Sequence, residues 1–236
     1  MIREIEKKLH EIKKKMPFED KIRGKLSFEE KKYWVWENMC LEGHQVSMEQ
    51  IEKSLRGEET FYGSIDEGLM IWKVDQLREK IYAFDRENYD FDLKMLMKLK
   101  LLLGDNTKGF RKSTTPAMYL SYMPPPPQEV PKMMADYVPF FHRKDKDEDI
   151  FYQSAKIHNR FIEIFPFKSG NLVLARTLMQ YYIIRSGYPM VPMGLSQENY
   201  FNAIKAFLHK GDCSSLAEIL RHKMKKRLEI IEKANN

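Results

Sequence analysis

Along most of the chain the apolar residues fall at three- and four-residue intervals, the signature of helices with one buried face. Ile2, Ile5, Leu9 and Ile12 predict an amphipathic helix over residues 2–15 that stops near Met16-Pro17. Ser27 with Glu30 reads as a capping box for a second helix to about Met39, with Tyr33, Trp34 and Trp36 as packing residues. Ser47 opens a third, which ends near Arg56 at Gly57. Ser64 with Glu67 opens a long helix over roughly 65–83, and Asp90 another that closes at Leu101–Leu103 and Gly104. Pro131–Phe141, Ser196–Lys210 and Cys213–Lys233 complete the amphipathic set. Strand-like residues between turn signals occur at one place, Gly109 to Leu120. The stretch Pro124–Pro127 is a stiff polyproline spacer.

The densest pattern lies at residues 157–176. Ile157, Phe161 and Ile164 share one helical face, and Pro166 stops that helix by removing a backbone donor and pushing Phe165 out of helical geometry. Gly170-Asn171 then opens a helix in which Leu172, Leu174, Ala175, Leu178 and Met179 are apolar on most faces. That marks it as the central core helix, ending at Gly187-Tyr188-Pro189. A Gly-Asn turn that presents free N–H groups at a helix N-terminus is also an anion cradle.

Composition narrows the classes. At 236 residues, with 43% hydrophobic and 31% charged, the chain has enough material for a sizeable core. Eleven glycines argue against a many-turned β protein. No apolar run is long enough to span a bilayer, and the charged start MIREIEKKLHEIKKK carries no apolar signal core. Cys40 and Cys213 make neither a disulfide framework nor a metal-ligand spacing, so a reducing cytoplasm is the expected location. The net charge of +6 is concentrated in two terminal segments where glutamates interleave with the lysines. Those read as solvated helix faces rather than a nucleic-acid surface.

The segment 165–176, F-P-F-K-S-G-N-L-V-L-A-R, resembles the signature of the Fic (Fic/Doc) family, H-P-F-x-[D/E]-G-N-G-R-x-x-R. Pro166, Phe167, Gly170, Asn171 and Arg176 match. Phe165 stands at the family's catalytic His, Ser169 at the metal-holding acid, and Leu172 and Val173 at the second Gly and first Arg. Upstream, Glu42-Gly43 resembles the family's inhibitory-helix motif [S/T]-x-x-x-E-[G/N], with Asn38 in place of Ser/Thr. The resemblance implies that Glu42 pairs with Arg176, which otherwise receives the nucleotide's terminal phosphate. It also implies a β-hairpin flap over 108–122, with Gly109, Phe110 and Arg111 presenting an edge for a target's backbone.

The implied fold is all-α: a compact Fic-type helical bundle with one small hairpin flap. The expected organisation is a helical extension at 1–32, the Fic-like domain at 33–215 and a charged helix at 216–236. The family transfers AMP to protein hydroxyls, a reaction governed by positioning and charge stabilisation. Phe165 cannot act as a base, and Ser169 is a poor metal ligand. Gly170, Asn171, Arg176 and Lys168 remain as anion-binding residues. His158 matches a structural His of the family, and the other five histidines are scattered without metal spacing. The expectation is therefore a Fic-like pseudoenzyme retained for binding a protein target or regulator, or for self-association. No cofactor is expected, with ATP and Mg2+ relevant if activity remains. The alternative is an active nucleotidyl or phosphoryl transferase using non-standard residues.

Overall fold

The helix that starts at Gly170-Asn171 forms the axis of the molecule. In a computed structural model, which describes residues 1–58, 65–114 and 116–234, it spans Asn171–Arg185, and thirteen of its fifteen residues are buried. A helix apolar nearly all round has no solvent face to offer, so other helices enclose it. Numbered in chain order, α1 is Ile2–Lys14, α2 Asp20–Leu41, α3 Met48–Arg56, α4 Ile65–Arg86 and α5 Leu93–Leu102. The rest are α6 Val130–His142, α7 Ile150–Ile164, α8 Asn171–Arg185, α9 Gln197–Lys210 and α10 Ser214–Ala234. The α7 helix packs most extensively on α8, and α4 covers another side of it. The α10 helix packs on α7 and α1, and α2 on α4. The fold is an all-α bundle, as the sequence predicts.

Several element boundaries move. The capping box expected at Ser27 is absent, because α2 runs unbroken through Gly24 and Ser27 and across residues 32–33. Glu30 is taken instead by Arg78 at 2.8 Å and Tyr82 at 2.6 Å, and Ser27 Oγ accepts from Arg78 at 3.3 Å. A tertiary ion cluster has thus claimed both residues of the apparent cap. The cap of α5 is Asp92, whose Oδ1 accepts from Met95 N at 2.7 Å, rather than Asp90. Ser47 does cap α3, in a reciprocal box with Gln50. The box expected at Ser64 lies outside the described residues.

Where a hairpin flap is expected, the described residues form a single antiparallel bridge. Ala117 N donates to Tyr122 O at 2.9 Å and Tyr122 N to Ala117 O at 3.3 Å, around a 3-10 turn at Met118–Leu120. The flanking backbone bonds elsewhere. Gly109 O accepts from the buried Lys100 Nζ at 3.1 Å, and Arg111 N donates to Pro166 O at 2.9 Å.

Candidate functional site

The loop between α7 and α8 is fixed from three directions. Phe165 caps α7 in the left-handed region, at φ +49° and ψ 58°, a conformation costly for a bulky residue unless its surroundings impose it. They do so through Arg111. Its Nε donates to Phe165 O at 2.8 Å, Nη1 to Ser113 O at 3.2 Å and Nη2 to Pro125 O at 2.5 Å. Inside the loop, Asn171 Oδ1 accepts from Phe167 N at 3.0 Å and its Nδ2 donates to Phe167 O at 2.8 Å. Gly170 precedes α8 at φ +74°, and a Cβ there would stand 2.8 Å from Leu103 Cδ1. The positive φ is what favours glycine, since the Leu103 methyl ends a flexible side chain, and the turn leaves the first amides of α8 without helical acceptors.

A cavity of about 170 Å3 lies over this turn. Phe165, Phe167, Pro116, Ala117 and Leu172 give it apolar walls, and Lys168, Ser169, Arg111, Tyr119 and Glu42 give it polar ones. It is below the roughly 300–1,000 Å3 usual for small-molecule sites. Among the described residues Glu42 is its single carboxylate, and that carboxylate is engaged: Arg176 Nη2 donates to Glu42 Oε1 at 2.5 Å. Arg176 is fully buried, Glu42 is 23% exposed, and Glu42 lines the cavity whereas Arg176 does not. Any anion approaching Arg176 from the cavity therefore meets Glu42 first.

The sequence signals no partner for Arg176 other than Glu42, and the structure supplies two more. Asn38, one turn before Glu42 on α2, accepts from Arg176 Nε at 2.8 Å and donates to Trp34 O at 2.8 Å. Tyr200 of α9 lies with its ring 5.2 Å from the guanidinium and its hydroxyl 2.8 Å from His158 Nε2. Burial pushes His158 down to about 3, so it is neutral, and its Nδ1 lies 2.8 Å from Asn159 Oδ1. It is a structural histidine and no base. His44, beside Glu42 in sequence, lies 3.2 Å from Glu67 on α4.

The other expected site residues divide between surface and core. Lys168 and Ser169 are exposed at the mouth of the cavity. Val173 is fully buried and Leu172 is 6% exposed. Gly43 sits just past α2 at φ +94°, a position only glycine takes without strain. Of the expected target-binding edge, Phe110 packs on Phe167, with ring centroids 5.9 Å apart, and Arg111 is 8% exposed with its guanidinium spent on carbonyls. That segment is a brace under the loop. The exposed apolar side chains nearby are Met118, Tyr119 and Met123.

Behind the Arg176 pair, Glu37 is buried and accepts from Gly194 N, while its Oε2 has no partner among the described residues. Burial raises its carboxyl above the usual glutamate range. The folded state therefore holds this proton more tightly than the unfolded one does. The stability this provides is present below about 4.5 and is lost as pH rises through the raised folded value. Glu37→Gln should gain stability relative to the parent as pH climbs from about 4 to 8, with the difference vanishing at the acid end. Urea midpoints across that range check it.

Comparison with known proteins bears on the fold. The Fic/DOC family model matches residues 90–183. The chain carries a Fic/DOC-family domain. A probable protein adenylyltransferase from Aquifex aeolicus is 28% identical over 173 residues, covering 72% of this chain and 53% of the relative. Protein adenylyltransferase Fic from Drosophila grimshawi is 23% identical over 202 residues, covering 83% of this chain and 42% of the relative. The chain thus spans about half or less of the length of these curated relatives. Among solved structures, a Fic-domain-containing signalling protein from Bacteroides thetaiotaomicron superposes with a TM-score of 0.81 at 17% identity, over 98% of this chain and 97% of that one. Fic-1 (residues 134–508) from C. elegans gives 0.80 at 16% identity, over 98% and 72%. Those likenesses establish the Fic fold.

Proposed function

We propose that this Fic protein has lost AMP transfer and is retained to bind a protein partner. The observation that carries the reading is Phe165. The residue at the position of the family's base is an apolar ring in the cavity wall, held there by Arg111, and no histidine lines the cavity among the described residues. Loss of a general base alone removes about 10²–10⁴-fold of rate. A Mg2+ site does not fit the residues present either. The single lining carboxylate is engaged by Arg176, Ser169 is neutral, and the Asn171 amide is consumed by the loop. Among the described residues no cluster of three or more His, Cys, Asp or Glu side chains could hold a metal. Lys168 and the first amides of α8 remain as anion donors, and Met118, Tyr119 and Met123 offer exposed apolar contact beside them.

The Glu42–Arg176 pair supports a second reading. An acid that screens the terminal-phosphate Arg has a regulatory purpose where a nucleotide still enters, so a transferase using non-standard residues is the alternative. The full chain incubated with labelled ATP, Mg2+ and a lysate should transfer no label to itself or to another protein. Transfer that disappears with Arg176→Met would establish the alternative. In calorimetry against a nucleotide panel, Glu42→Gly should give no heat, and saturable heat in that variant would likewise favour the transferase.

A further inference from the structure

On the side of the bundle away from the Gly170 turn, α1, the first half of α2, the end of α4, the end of α8 and α10 surround a cleft of about 530 Å3. It shares no lining residue with the cavity over the α7–α8 loop. Its body is apolar, with Leu9, Ile12, Phe18, Leu26, Ile184 and Leu228 among the walls. Its size falls within the range of small-molecule sites, roughly 300–1,000 Å3.

The charges in this cleft are unbalanced. Five cationic side chains line it, Lys13, Arg23, Arg78, Arg86 and Arg227, against the carboxylates Glu30, Glu79 and Asp85; Arg23 pairs with Asp20 just outside the lining at 2.7 Å, which leaves a surplus of one. Two of the cations are buried at its floor, Arg78 at 4% and Arg227 at 8% exposure, and they share one carboxylate. Glu30 accepts from Arg78 at 2.8 Å and from Arg227 at 3.2 Å, and Tyr82 adds a third donor at 2.6 Å. Arg78 also donates to Glu79 at 2.7 Å. Even so, the Nε–H of both Arg78 and Arg227 lacks an acceptor. A buried guanidinium with an unmet donor is costly, and native proteins meet such donors with an acceptor from somewhere. At the rim, exposed Lys13 and Arg86 make no ion pair among the described residues.

We propose that this cleft is a second ligand site that takes an amphipathic monocarboxylate, with its alkyl body against Ile12, Phe18 and Leu228 and its head toward the arginines. Guanidinium forks match carboxylate geometry, and a single negative charge answers the surplus without being expelled by Glu30, Glu79 and Asp85. The site does not depend on what the α7–α8 loop does, so its failure would leave the reading of that loop untouched.

Calorimetry with the full chain in dilute salt tests it, with decanoate as the probe and decanol as its uncharged counterpart. Decanoate should saturate at one per chain and bind at least about tenfold tighter than decanol, the worth of one charge-assisted contact. The double variant Lys13→Glu/Arg86→Glu changes exposed rim residues only, and circular dichroism will verify that it is folded. It should weaken decanoate by about tenfold or more and leave decanol unchanged. Equal affinity for the two probes, no saturable heat, or decanoate binding indifferent to the rim reversal would each overturn the proposal. So would binding to anionic phospholipid vesicles without binding to monomeric decanoate.

Discussion

Val173→Arg should destabilise the chain by about 4–5 kcal/mol or more, enough to unfold a marginal domain. The family places an Arg here, so restoring its signature invites the substitution. In this chain Val173 is fully buried on α8, three residues into a helix covered by α7 and α4. A guanidinium there would overpack the core and bury a charge. Phe165→His, Ser169→Asp and Leu172→Gly differ in kind, because each lines the cavity and can present a polar group or open space to it. Urea unfolding should therefore separate Val173→Arg from Ser169→Asp, the exposed position of the three, by several kcal/mol. If Val173→Arg matched Ser169→Asp, α8 would have a solvent-accessible face at residue 173, and the placement of this helix would be wrong. At this position the departure from the family signature is a matter of packing.

Glu42→Ala should cost stability toward the low end of about 3–5 kcal/mol, the range for stranding one partner of a buried pair. The low end applies because Glu42 is 23% exposed and part of its charge is already solvated. The mutation leaves Arg176 fully buried with Asn38 and the Tyr200 ring, neither of which carries the opposing charge. In Arg176→Met the remaining Glu42 can turn to water, so that variant should lose less. The double variant Glu42→Ala/Arg176→Met should recover much of the loss, because an apolar side chain of similar length suits a core site. A double-mutant cycle from urea curves measures the coupling. A coupling near zero would show the pair to be no more than a surface contact.

The sequence by itself determined the helices and the bend between α7 and α8, because those depend on local physics. Apolar spacing sets a helical face, Pro166 forbids continuation, and Gly170 supplies a left-handed turn that a side chain would block. The same local reading placed α1, α3, α6, α9 and α10 within a residue or two, and the resemblance to the Fic signature named Phe165, Ser169, Glu42 and Arg176 as the positions to inspect. It erred where a distant partner competed for a residue. Ser27 and Glu30 have the spacing of a cap, yet Arg78 and Tyr82 lie some fifty positions away and take them into an ion cluster. Arg111 has the look of a strand edge, but the loop at 165–166 offers its carbonyls there, and a hydrogen bond gained inward prevails over a strand with no partner. Tertiary structure alone could decide which charges are buried together. Tyr200 beside Arg176, the burial of Glu37 and the arginine-lined cleft beneath α1 all arise from residues far apart in sequence, and no periodicity records how deep a side chain will lie or what will face it.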